Sequence, residues 1–340
     1  MPDGAPVEWW VDSGRLSADP LTGARDAPGG WVVEGGLVDA HVHLTFEPHE
    51  VFGLPRGSAQ LVDAGLRAHR EAGELAVRDV GALPGTGPGE PHSAAGVAIA
   101  GSGPVLAPAG HFPAHLHEPV APADAPAAAA ARIEAGWAWA KVIVDFPGPD
   151  GNPLAPRLGY EPAVLAEIAA AVHEAGGRLA MHVMGDHVDL AIAAGADSIE
   201  HGNLADEDAV REMAARGIAW TPTLLTVAER YLEPIAAHVP PARALLDRQR
   251  TTLSLAAELG VAILAGTDEE PHGSVAREVA ALIRYGLPPA AAVAAATSAG
   301  HGLLGLEPPH AGGPAALVTF DADPVADPSI LARPAAVLTA

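Results

Sequence analysis

Six side chains in this sequence have types suited to one shared piece of chemistry: His41, His43, Lys141, His182, His201 and Asp268. Lys141 is the single lysine among 340 residues, and eighteen arginines carry every other positive side-chain charge. It lies in Trp137-Ala-Trp139-Ala-Lys141-Val-Ile-Val-Asp145, an apolar β-branched run that reads as a buried strand. Burial disfavours an ammonium, so a lysine there can be a neutral, nucleophilic amine, which a guanidinium cannot provide. Two chemistries follow: a Schiff base, or capture of CO2 as a carbamate that ligates metal. The plain alternative is a strand-end lysine snorkelling to water. His41 and His43 end the run Gly36-Leu-Val-Asp-Ala-His41-Val-His43-Leu44. A spacing of two puts both imidazoles on one face of a strand, able to share one cation.

The elements that must position these residues alternate along the chain. Short apolar runs at 36–40, 75–80, 97–100, 139–144, 178–183, 197–200, 218–221 and 261–265 read as strands. Helical patterns at 58–72, 161–175, 207–216 and 241–259 lie between them, with glycine where helices should end. Two further helices fit 274–285 and 288–297. Eight strands with intervening helices match a (β/α)8 TIM barrel, predicted over 36–305. Residues 1–35 plus 306–340 are predicted to form a small β-sandwich-like subdomain, in which the strand 316–320 pairs with the N-terminal segment. In such a barrel the strand C-termini form the catalytic rim. A lone strand-end histidine is usually structural, and a lone aspartate usually caps a helix. Here His41, His43, Lys141, His182, His201 and Asp268 all fall where one rim would gather them. That favours the carbamate: a Schiff-base lysine needs no surrounding imidazoles, whereas a carbamate bridging two cations does.

Composition narrows the remaining classes. Hydrophobic content is 49% and aromatic content 4%, so the core must be Ala, Val, Leu and Ile. A net charge of −23 argues against nucleic acid or an anionic membrane as partner. With no cysteine, disulfides and thiolate chemistry are excluded. The opening Met1–Glu8 lacks a basic region followed by an apolar one, and no uncharged apolar stretch reaches about 18 residues. A cytoplasmic enzyme acting on a small molecule is the expectation, with a homo-oligomer left open.

The runs GLVDAHVHL, AVRDVGALPG, PAGH, WAKVIVD, DSIEHG, TPTL, AGTDEEPHG and PPAAAVAAATSAGHGLLGL together resemble the amidohydrolase superfamily. The branch most similar contains imidazolonepropionase-like enzymes and bacterial prolidase-type dipeptidases. The resemblance implies two divalent metal ions, zinc foremost. By it His41, His43 and Asp268 ligate the more buried ion, His182 and His201 the second, and carboxylated Lys141 bridges them. It also implies that Asp268 shuttles the proton as general base and then acid. Two features depart from the family: a short N-terminal β portion, and Gly313-Pro-Ala-Ala-Leu-Val where an aspartate usually precedes Leu-Val. Metal-dependent deaminases carry His-x-x-Glu after the fifth strand; this chain has His182-Val-Met-Gly185, which favours hydrolysis of an amide. A lactonase or esterase on the same centre is the alternative, and a Schiff-base aldolase through Lys141 a further one.

His111, Tyr231 and His272 are expected in loops that reach the substrate, each with an equally simple role in loop packing. His115, His117, Arg157 and Arg230 rank lower. Asp145 shares a strand face with Lys141, where a helix-entry turn role serves as well. If the carbamate and not the charge matters, Lys141→Arg is expected to be as damaging as Lys141→Ala. Short carboxylic acids should partly rescue the alanine variant. Metal content and turnover of both variants check this; a fully active arginine variant would remove the carbamate.

Overall fold

The computed structural model describes residues 7–45, 59–85, 93–94, 96–148, 156–268 and 272–340. Parallel strands carry the site: β1 (Leu37–Val42), β2 (Glu74–Asp79), β3 (Val97–Gly101), β4 (Trp139–Ile143), β5 (Arg178–Val183), β6 (Ser198–His201) and β7 (Ala219–Thr221). β1, β2 and β3 pair in sequence, and β4, β5, β6 and β7 likewise, all parallel. In β5 the register sets Met181 between Val142 and Ile199. Apart from β3, half-buried at its three central residues, these strands are buried along nearly their whole length, as near-continuous Val/Ile/Leu/Ala runs covered on both faces should be.

Helices Ala59–Glu71, Ala125–Glu134, Pro162–Glu174, Val188–Ala194, Glu207–Arg216 and Pro240–Leu259 fall between strands, as the apolar spacing predicts. Glu207–Arg216 shows a start and a stop signal: Asp206 accepts from the Ala209 amide at 2.9 Å, and Gly217 leaves the helix at φ +69°. Leu165, Ile168 and Val172 of one helix are buried in the same apolar cluster as Leu179 and Met181 of β5. Each such side chain gains about 1.5–3 kcal/mol by leaving water.

The predicted eighth strand is met in part: without forming a regular ladder, the segment bonds to β7 through a parallel bridge between Ile263 and Trp220 and then to β1. There the Ala40 amide bonds the Ala265 carbonyl at 2.8 Å and the Asp268 amide bonds the His41 carbonyl at 2.8 Å. Gly266 permits this approach, since a Cβ on it would stand 2.6 Å from His41 Cβ. The loop expected after β7 is a π-helix, Leu225–Leu232, which carries Tyr231. Its first turn is tied by buried Glu278, whose carboxylate accepts from the Leu224 and Leu225 amides at 2.8 and 2.9 Å.

At the chain ends, Ala316–Phe320 pairs antiparallel with Trp31–Glu34 on one side and Ala336–Thr339 on the other. A hairpin of Trp10–Asp12 and Arg15–Ser17 joins them, burying Leu16 against Ala315 and Leu317. Among the described residues no helix is long and apolar enough to cross a membrane.

Burial pushes the Glu278 carboxyl up to about 8. The folded chain therefore holds a proton here between about pH 4.5 and 8 that the unfolded chain has released, so this group's contribution falls as pH rises through that window. Glu278→Gln, which has one acceptor oxygen where two amides need one each, is expected to be less stable than the wild type near pH 5, with the deficit shrinking as pH rises to about 8. A parallel series of melting curves reads that difference.

Candidate active site

β1 delivers His41 and His43 to one place, and the segment behind Gly266 delivers Asp268. Asp268 Oδ1 lies 3.7 Å from His41 Nε2 and 3.4 Å from His43 Nε2. Ligand atoms of the three residues all fall within 4.8 Å of one another. β5 and β6 bring His182 and His201 beside them, with His182 Nδ1 at 2.9 Å from His201 Nε2. Ring centroids of His41 and His201 are 5.0 Å apart. Lys141, on neighbouring β4, is 2% exposed and lies within electrostatic reach of His41, His182, His201 and Asp268. The six residues singled out from sequence thus converge on one buried centre.

Three of the four imidazoles are oriented from behind. His43 Nδ1 faces the Gly81 carbonyl at 3.0 Å; a carbonyl only accepts, so the proton sits on Nδ1 and Nε2 keeps its lone pair. His41 Nδ1 donates to Glu200 Oε2 at 2.7 Å, with the same consequence. His201 Nδ1 is held by Thr223 Oγ1 at 2.7 Å. His182 Nε2 is buried with no hydrogen-bond partner among the described residues. Burial drives His41 down to about 3, His201 to about 4, and His182 well below the ordinary imidazole value. These three rings are neutral at pH 7, as metal ligation requires. Burial raises the Asp268 carboxyl, but the imidazoles of His41, His43 and His201 overcome it and hold the group well below the usual carboxylate range. A neutral nitrogen set, a carboxylate and an orphaned buried ring nitrogen fit a divalent cation.

Burial also lowers Lys141 to about 8, against the pull of Glu200 and Asp268. About one amine in ten is then neutral at pH 7, a fraction several hundred times that of an ordinary lysine.

The residues behind the ligands escaped the sequence reading. Glu200, fully buried, accepts from Arg78 at 2.7 Å and from Ser198 Oγ at 2.5 Å while holding His41. Arg78, equally buried, also donates to the Ala40 carbonyl at 2.7 Å and Thr221 Oγ1 at 3.1 Å, and stacks over Trp139 at 4.8 Å. Asp39 Oδ1 accepts from the His41 and Thr267 amides at 3.1 and 3.0 Å, tying β1 to the Asp268 segment. His201, Thr223 and Asp268 are three of the four non-glycine residues with φ near +50 to +70° among those described. Such strain concentrates where the surrounding structure fixes a functional side chain.

The lower-ranked residues divide. Asp145 has the turn role: it accepts from the Met184 and Gly185 amides at 2.7 and 3.0 Å and from His187 Nδ1 at 2.7 Å, fixing the turn after β5. Tyr231, on the exposed side of the π-helix, lies within electrostatic reach of Asp268: burial and then the Asp268 charge raise its pKa. His272 belongs to a separate buried group, its Nδ1 at 3.1 Å from His69 Nε2, with His69 in turn on Glu74. His111 bonds the carbonyl of its own loop at Ala109, 3.1 Å away, and nothing brings it to the cluster.

The model of the amidohydrolase family matches residues 32–339, and the chain belongs to that family. As a member of it, the chain is a metal-dependent hydrolase. An uncharacterized Mycobacterium tuberculosis protein is 31% identical over 352 residues, covering 99% of this chain and 92% of that one. Among solved structures, the A. niger ochratoxinase is similar at TM-score 0.76 and 22% identity, covering 98% of this chain and 90% of its own. A Xaa-Pro dipeptidase with bound methionine in its active site scores 0.73 at 22% identity, over 96% and 91%. A molinate hydrolase scores 0.77 at 18% identity, over 97% and 88%. These likenesses speak to the fold.

Glu200→Gln keeps the shape but loses the charge that orients His41 and balances Arg78. Metal affinity is expected to fall about 10–100-fold, the usual cost of losing a partner behind a ligand. Competition against a metal-binding dye measures it.

Proposed function

We propose that the chain hydrolyses an amide bond in a small molecule at a binuclear centre. His41, His43 and Asp268 would hold one divalent ion, His182 and His201 the other, and a carbamate on Lys141 would bridge them. The carrying observation is the convergence of five protonation-matched ligand residues on the chain's single lysine, buried with a pKa near 8. A neutral amine adds to CO2 through its nitrogen lone pair and sheds one proton, leaving an oxygen-donor anion. Zinc suits the nitrogen-rich set. Bound there, the ions supply Lewis acidity, lowering the pKa of a water and polarising the scissile carbonyl.

Asp268 accepts the proton of the attacking water and returns it to the leaving nitrogen. Its backbone, pinned to β1 through the His41 carbonyl, keeps the carboxylate beside the ligands throughout. Glutamate at position 185, as in deaminases, does not fit: even a Cβ there would stand 2.4 Å from Pro156 and 2.8 Å from Asp145 Oδ2. That supports hydrolysis over deamination. We read the parallel strands, with segment 261–268 as the eighth, as a closed barrel. The terminal strands would form an accompanying β subdomain over 1–35 and 306–340.

The substrate class is a dipeptide or an N-acyl amino acid with a carboxylate next to the scissile bond. Support comes from Tyr231 beside the site and from the dipeptidase among the structural relatives. Asp268→Asn is expected to keep much of the metal and lose about 10²–10⁴-fold in turnover. A loss below tenfold at unchanged metal content would assign the proton to another residue. Comparing kcat/KM on free-acid and C-terminally amidated dipeptides, beside a panel of lactones, tests the substrate. Preference for the free acid is expected; activity confined to lactones would overturn the amide reading.

A further inference from the structure

The chain that leaves Asp268 is caught again at residues 272–275, by two buried side chains from another part of the sequence. His69 lies on helix Ala59–Glu71 and Glu74 opens β2, and they are 0% and 1% exposed. A carboxylate only accepts, so His69 Nδ1 donates to Glu74 Oε2, while Glu74 Oε1 accepts from the Val275 amide at 2.8 Å. At the other edge of the ring, His69 Nε2 stands 3.1 Å from His272 Nδ1. Val275 opens helix Val275–Arg284, whose N-cap residue Ser274 makes no side-chain cap bond. A carboxylate 201 residues away takes the place of the cap. The chain at 272–273 lies directly on helix Ala59–Glu71. A Cβ on Gly65 would stand 2.7 Å from His272 Cδ2, and one on Gly273 would stand 2.7 Å from the Ala68 carbonyl oxygen.

Asp39, His69 and Glu74 are close enough to share a cation, but their atoms are already engaged. Both Glu74 oxygens and both His69 nitrogens have the partners just named. The Asp39 oxygens take the His41 and Thr267 amides and Thr267 Oγ1. Burial alone would lower the His69 pKa, and the Glu74 carboxylate more than reverses it, as in an ion pair. Out of water such a pair is commonly no more stabilising than two apolar side chains of its size. What it adds is direction, because each partner must point at one atom.

The chain upstream shows what is being directed. Asp268 has φ +49°, a conformation that persists only where its surroundings fix it. Its amide is tied to the His41 carbonyl at 2.8 Å, and its carbonyl accepts from Thr226 Oγ1 at 2.6 Å. Those bonds secure one end, and Glu74 and His69 secure the other. The clamp is also near the centre: burial, then the fields of His69 and His43, take His272 down to about 3.

We propose that His69 and Glu74 are positioning residues for Asp268. By anchoring His272 and Val275 they hold the far end of the chain that starts at Asp268, and so keep its carboxylate in register with the ligands. The inference rests on the reading of Asp268 as the proton carrier.

The test uses the metal-loaded enzyme and the free-acid dipeptide that the wild type cleaves fastest. Glu74→Gln keeps an acceptor for Val275 and can donate to His69 Nδ1, so turnover should stay within about threefold of the wild type. His69→Leu with Glu74→Leu removes the clamp and leaves an apolar contact; turnover should fall at least about tenfold, since a misplaced catalytic group can cost about 100-fold. A cooperative melting transition and unchanged metal content report that the variants are folded. Adding the leucine pair to Asp268→Asn should slow it by less than about threefold, because the two losses share one cause. If the leucine pair does not fold, the same cycle is run on His272→Phe, which keeps the ring on its helix and ends the bond to His69. Losses that multiply, or a glutamine variant as slow as the leucine pair, would overturn the assignment. So would a third metal equivalent in the wild type that the leucine pair loses. Hydrogen exchange over residues 264–276, read by mass spectrometry, needs no substrate. Exchange at least about tenfold faster in the leucine pair, and not in Glu74→Gln, is expected; unchanged exchange would overturn the anchor. Faster exchange in an enzyme whose turnover Asp268→Asn leaves intact would keep the anchor and retire only the proton-carrier reading.

Discussion

The buried triad of Arg78, Glu200 and His41 governs the centre. Arg78 and Glu200 are each fully buried, on strands β2 and β6, and His41 on β1 completes the line. A carboxylate and a guanidinium out of water are tolerable only when each satisfies the other and its remaining valences. Glu200 meets that demand through Arg78, His41 and Ser198 and the field of Lys141; Arg78 meets most of it through three strands and the face of Trp139, its Nη1 being left without a partner among the described residues. The pairing fixes which face of His41 looks into the site, which nitrogen carries its proton, and how far apart the strands stand. Arg78 also adds a positive field that, with burial, disfavours the ammonium of Lys141. One ion pair thereby sets both a ligand's tautomer and a lysine's charge.

A second layer works through the backbone. Asp39 gathers the amides of His41 and Thr267, Asp145 gathers those of Met184 and Gly185, and Glu278 gathers those of Leu224 and Leu225. In each case a buried carboxylate replaces the hydrogen bonds that a chain loses on leaving regular structure. That is how irregular segments at the strand ends are held rigidly enough to carry side chains with strained backbones, as at His201, Thr223 and Asp268.

The ligand residues could be read from sequence because their chemistry restricts residue type and their strands restrict place: two histidines at spacing two, a lysine in an apolar run, and histidines and an aspartate at strand ends. The parallel strands and most helices followed from the alternation of apolar runs, and the terminal pairing of Trp31–Glu34 with Ala316–Phe320 from a single β-branched run. Arg78 and Glu200 stood in plain sight within AVRDVG and DSIEHG, yet nothing local marks them, because their meaning lies in contacts 122 residues apart. The π-helix was hidden for a related reason: Leu225–Leu232 has no capping signal, and its anchor, Glu278, lies far along the chain. The eighth strand was legible only in part because an apolar run reports burial and not ladder geometry, and the bare backbone at Gly266 that lets it lie against His41 has no local signature.

The scarcity of lysine also shapes how the molecule exchanges protons with its surroundings. The surface cations are guanidinium groups, which keep their charge throughout the accessible pH range. Of the three tyrosines, Tyr160 and Tyr285 are pushed up by burial, and Tyr231 is raised as well. Above the range in which Lys141 titrates, almost no side chain is left to release a proton until strongly alkaline solution. The protein is thus a poor buffer there, and its electrophoretic mobility should scarcely move across several pH units where most proteins of this size steadily gain negative charge.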